Sequence, residues 1–108
     1  KRCRSRWRMT LEERLYKGDQ AKLVLENEVF QAVFADIEKD LIESWKNIPS
    51  SPKHADDREK THLAVTMLGK VKSTLLESLE SGKLARLELD YLHQQSLLDK
   101  ARNFLSPN

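Results

Sequence analysis

Six apolar side chains, Phe30, Phe34, Ile37, Leu41, Trp45 and Ile48, recur at steps of four, three, four, four and three residues. Such steps gather on one face only in a helix, whose turn takes about 3.6 residues. Val29, Val33 and Ile42 widen the stripe, and Leu23 and Val24 carry it backwards. Glu26, Glu38, Lys39 and Glu43 fall largely on other faces. A second stripe, Ala64, Leu68, Val71, Leu75 and Leu79, follows the same rule, with Met67 and Leu76 beside it. A lone helix is marginal in water, so each stripe needs a cover. The chain reads as all-α.

Between the stripes lies "IPSSPKHADDREK". Pro49 and Pro52 disfavour helix in the residues before them. Asp56 or Asp57 offers an N-cap for the next helix, and acids suit the positive end of a helix dipole. The connection is about seven to nine residues long, near the usual span of helix–helix links. It predicts a bend rather than an interdomain linker. The expected fold is a long antiparallel helical hairpin, bundle or coiled-coil-like, with arms at about 19–47 and 56–81. Its expected core is Phe30, Phe34, Ile37, Leu41 and Trp45 on one arm, and Leu68, Val71 and Leu75 on the other.

Shorter helices flank the hairpin in this reading. Thr10 and Glu13 have capping-box spacing, which starts a short helix that runs to about Lys17. Gly18 is expected to end it, and Asp19 to cap the following arm. Gly82 is expected to stop or kink the second arm. Gly69 costs roughly 1 kcal/mol against alanine and would admit a neighbouring helix closely.

The last segment, about residues 83–105, has the most regular spacing. Leu84, Leu87, Tyr91, Gln94, Leu98, Ala101 and Leu105 alternate steps of three and four, which is a heptad seam. Gln94 is its one polar member, a kind of residue that can fix register or strand number. This helix either packs on its own hairpin or pairs with the same helix of another subunit or with a partner. The expected interface between chains is Leu84, Leu87, Tyr91, Gln94, Leu98 and Leu105.

Charge separates the first residues from the rest. A formal net charge of +2 conceals a tail, "KRCRSRWR", that holds five basic residues and no acid. With five of the 19 basic residues assigned to it, the remainder carries 14 basic against 17 acidic side chains. Two readings of residues 1–8 stand side by side. One is non-native flanking sequence ahead of a natural start at Met9; residues 9–108 then form a single helical domain. The other is a genuine basic arm that binds nucleic acid or membrane, with Arg2, Arg4, Arg6, Arg8 and a stacking Trp7 as the nucleic-acid residues. Salt-dependent DNA binding of the full chain, against a version starting at Met9, separates them. A net-negative body does little to neutralise phosphates.

Cys3 is the one cysteine, so no disulfide forms within the chain and a reducing compartment is the default. Apolar runs reach only three or four residues, far short of the roughly 20 that span a bilayer. The expected location is the cytoplasm.

The chemistry-bearing motifs are few. No Gly-rich phosphate loop, Cys-x-x-Cys pair or His-Glu-x-x-His occurs. Glu59 with His62, and Asp90 with His93, stand three residues apart and so share a helix face. Paired Glu-x-x-His motifs on two helices serve di-iron bundles. Here the second pair uses Asp, and inward carboxylates on further helices are not evident. Surface histidines and solvated acids are the reading adopted, with no metal, no cofactor and no catalytic residue expected.

"LENEVFQAVFADIEKDLIESWKN", followed by "DDREKTHLAVTMLGKVKSTLLESLESGKLA", resembles small helical proteins encoded among the head and packaging genes of tailed bacteriophages. The likeness covers roughly residues 20–87. It lies in the Phe-rich start, Trp45 before the bend, the "DDRE" restart and the "SGKLA" close. It implies a virion, assembly or packaging component without catalysis, acting on copies of itself or on other assembly proteins. It transfers no functional residue. Against small terminase subunits one departure stands: no N-terminal DNA-reading helix-turn-helix is apparent.

Overall fold

A computed structural model describes residues 9–105. The basic arm with Arg2, Arg4, Arg6, Trp7 and Arg8, and Cys3 with it, lies outside the described residues. The described residues are all-α, with no strand among them. Helix α1 is Leu11–Glu26, α2 is Glu28–Asn47, a single 3-10 turn occupies Pro52–His54, and α3 is Ala55–Leu105.

The start of α1 is the expected capping box. The Glu13 amide donates to Thr10 Oγ1 at 3.0 Å, and the Thr10 amide donates to Glu13 Oε1 at 3.0 Å. Two otherwise orphan donors are thereby satisfied. The expected end at Gly18 is corrected: α1 runs through Gly18 and Asp19 to Glu26. Among the described residues no glycine takes a positive φ, so none serves as a left-handed cap.

The break falls at Asn27 instead. Its backbone is extended (φ −71°, ψ 125°), and its Oδ1 accepts from the Phe30 amide at 2.8 Å as the N-cap of α2. Glu28 in the first turn suits the positive helix end. Gln31 Nε2 donates back to the Leu25 carbonyl at 2.7 Å, so a carbonyl at the end of α1 is also satisfied.

Pro49 and Pro52 each act on the residue before them. Ile48 (ψ 127°) and Ser51 (ψ 153°) are extended, as the proline ring requires of its predecessor. Pro52 opens the 3-10 turn, where its missing N–H is harmless. Arg58 donates to the carbonyls of Pro49 and Ser51, which ties the connection to the first turns of α3. Asp56 and Asp57 sit in the first turn of α3 rather than at its N-cap, because the 3-10 turn feeds the helix directly at Ala55.

The expected break at Gly82 is likewise corrected. The second arm and the C-terminal segment are one helix of 51 residues. A glycine inside a helix costs about 1 kcal/mol against alanine, too little by itself to end this helix.

The chain divides into two compact units, each with its own contacts. One comprises residues 21–77, with α2 and the first part of α3. Of the described residues, the other comprises 9–20 and 78–105, with the start of α1 and the C-terminal part of α3.

Candidate association surface

In the unit of residues 21–77, Phe34 is buried, with Phe30 tilted against it at a centroid distance of 5.5 Å. Lys72 of α3 holds its ammonium 5.8 Å from the Phe34 ring centre, within cation–π reach. Leu41, Leu68 and Leu75 are half-buried beside Phe30 in the expected core set. Ile37, Trp45 and Val71, expected in the core, keep 44% to 49% of their surface. Val29 and Val33 are exposed on α2, and Leu63 and Met67 on α3. Ile42, Trp45, His62 and Val65 line an open recess of about 240 Å³. His62 is the titratable group among the described residues that line it.

The other unit is built on a close approach of two helices. A Cβ built on Gly18 would lie 2.6 Å from Gly82 Cα, and one on Gly82 would lie 2.7 Å from Gly18 Cα. Both distances are far inside van der Waals contact, so only glycine fits at either position. Gly82 and Ala85 are buried, with Ser78, Leu79, Ser81 and Leu89 half-buried around them. Arg14 fastens the crossing: its Nε donates to Ser81 Oγ at 2.9 Å and its Nη2 to the Ser81 carbonyl at 3.2 Å. Asp19 and Arg86 form an exposed ion pair at 3.6 Å, worth at most about 1 kcal/mol.

Sequence reasoning missed this crossing by reading both glycines as helix stops. A signal was present. Leu11, Arg14, Gly18, Ala21 and Leu25 alternate steps of three and four, as do Ser78, Gly82, Ala85 and Leu89. The glycines are in phase with unbroken helices. Gly69, expected to admit a neighbour, has nothing within 4 Å of a built Cβ, so that expectation is corrected.

The heptad seam of the last segment stands on the other side of α3. Leu84, Leu87 and Tyr91 each follow a member of the inner stripe, Gly82, Ala85 or Leu89, by two residues. That step turns about 200° around a helix. Leu84, Leu87, Tyr91, Leu98 and Leu105 are 55% to 78% exposed, and Gln94 is exposed with them. The seam is therefore an apolar ridge on a helix whose opposite side, at Gly82 and Ala85, is already occupied.

Among the described residues, no group of three or more His, Cys, Asp or Glu side chains could hold a metal ion. Among them, too, no helix is long and apolar enough to cross a membrane.

Among the described residues the fold is all-α, with little enclosed core and long uncovered apolar stripes. Compared with known protein families, curated proteins and solved structures, the chain matches none of them.

Proposed function

We propose that this is a non-enzymatic structural or adaptor protein that works by association, with copies of itself or with other assembly proteins. One observation carries the reading. Among the described residues the buried hydrophobic side chains are Ala21, Phe34 and Ala85, while twenty large apolar side chains are exposed. Single exposed leucines need no explanation, but contiguous ridges of them mark contact surfaces. Burying one leucine side chain stabilises by about 1.5–3 kcal/mol, so covering the ridge of α3 would supply a substantial driving force.

In this reading α2 and the first part of α3 form an antiparallel hairpin whose apolar side accepts a further helix. The ridge from Leu84 to Leu105 is the contact with another chain. The resemblance of residues 20–87 to phage head and packaging proteins supports a role in virion assembly or DNA packaging.

The test is the mass of the chain in solution. Light scattering over a wide concentration range should give a wild-type mass above that of one chain. Leu87→Asp combined with Leu98→Asp should return it toward one chain while circular dichroism keeps its helical signal, because both positions are exposed in the single chain. A wild-type mass equal to one chain throughout rejects association with copies of itself and leaves contact with other proteins as the reading.

A further inference from the structure

Resting on the reading of the α3 ridge as the contact surface, we infer that its occupant is a second copy of the same ridge, parallel and in register. With Leu84 at position a of a heptad, Leu87 and Gln94 fall at d, and Tyr91 and Leu98 at a. The flanking positions then carry the argument. Position g holds Lys83, Asp90, Leu97 and Phe104, and position e holds Glu88, Gln95 and Arg102.

In a parallel pair each g residue meets the e residue five positions on in the other chain. Lys83 then meets Glu88 of the second copy, an attraction made twice by symmetry. Asp90 meets the neutral Gln95. Leu97 lies along the aliphatic stem of Arg102, whose head stays in water. An antiparallel pair in full overlap sets g against g. That brings Asp90 onto Leu97 and Lys83 onto Phe104, so two charges lose water and gain no partner.

Gln94 makes the same choice. In the parallel register its amide faces the Gln94 amide of the second copy, donor to acceptor in both directions. An antiparallel pair in full overlap sets it against Tyr91 instead. A polar seam residue that pairs only with itself is a known device for fixing register. Lys83 holds Glu80 in an exposed ion pair at 3.4 Å and Arg102 holds Asp99 at 3.0 Å, both weak competitors, while Gln95 is half-buried. The buried side of α3, at Gly82 and Ala85, faces away from the ridge, so α1 leaves the ridge clear.

The experiment uses the full chain with Cys3→Ser. Leu87→Cys and Leu98→Cys are made singly, oxidised mildly, and then oxidised as a mixture. A parallel pair in register links each variant to itself. A full-overlap antiparallel pair links Leu87→Cys only to Leu98→Cys in the mixture. Self-linked dimers of both variants, on a wild-type mass of two chains, are the expected result. A wild-type dimer with mixed links only, or with none at either position, overturns the inference and leaves association standing. A wild-type mass of one chain overturns the inference and self-association with it. The charge pair gives a second readout: Lys83→Glu and Glu88→Lys should each weaken self-association by about 3- to 10-fold. The two variants should prefer each other when mixed. Absence of that preference also overturns the inference.

Discussion

Gly18 and Gly82 touch backbone to backbone: a single methyl added to either would sit 2.6–2.7 Å from the other's Cα. Gly18→Ala and Gly82→Ala should each destabilise the chain, because a helix backbone cannot yield as a flexible side chain can. Overpacking of this kind costs typically 1–3 kcal/mol, and the gain of about 1 kcal/mol in helix propensity only partly offsets it. Gly69→Ala has open space around it and should stabilise by about 1 kcal/mol. Thermal melts of the three variants test this. If all three stabilise alike, the close crossing is absent in solution.

Arg14 reaches Ser81 through two donors, one to the hydroxyl and one to the carbonyl. Arg14→Lys cannot reproduce that fork and should lose about 1 kcal/mol. A double-mutant cycle of Arg14→Lys with Ser81→Ala, read by urea denaturation, should give a coupling of the same order. Strictly additive losses would mean that the two side chains do not interact.

The junction of α1 and α2 depends on a side chain. Asn27→Ala removes the acceptor for the Phe30 amide and should cost about 1 kcal/mol, whereas Asn27→Asp should be tolerated. Denaturant midpoints settle the comparison. Equal losses in both variants would show that the cap contributes nothing.

Phe34 is the largest of the buried apolar side chains among the described residues, and Val71, read as its equal from sequence, is half exposed. Phe34→Ala should cost about 3 kcal/mol, as core phenylalanine truncations do. Val71→Ala should cost well under half of that, since much of its surface is wet already. A Val71→Ala loss matching that of Phe34→Ala would mean that Val71 becomes covered in solution, by another helix or another chain.

Much of this protein was legible locally. Thr10 and Glu13 announce a helix start because a capping box is completed within four residues. Pro49 and Pro52 announce the break between α2 and α3 because each ring constrains only its immediate predecessor. The stripe through Phe30, Phe34 and Leu41 announces a helix because its period belongs to the chain alone. Asn27 was legible in principle, being a favoured N-cap type before Glu28, but an unbroken apolar pattern masked it.

What the sequence by itself determined, then, is the helical state, its first cap and the break at Pro49 and Pro52, since these depend on contacts within a few residues. The tertiary structure decided whether Gly18 and Gly82 end helices or let two of them touch. A missing side chain permits either outcome, and only the presence of a neighbouring backbone selects between them. It likewise decided which side of α3 is covered. Gly82 and Ala85 are small enough to let a helix approach, and so the bulkier ridge of Leu84, Leu87 and Tyr91, about half a turn away, is left facing water.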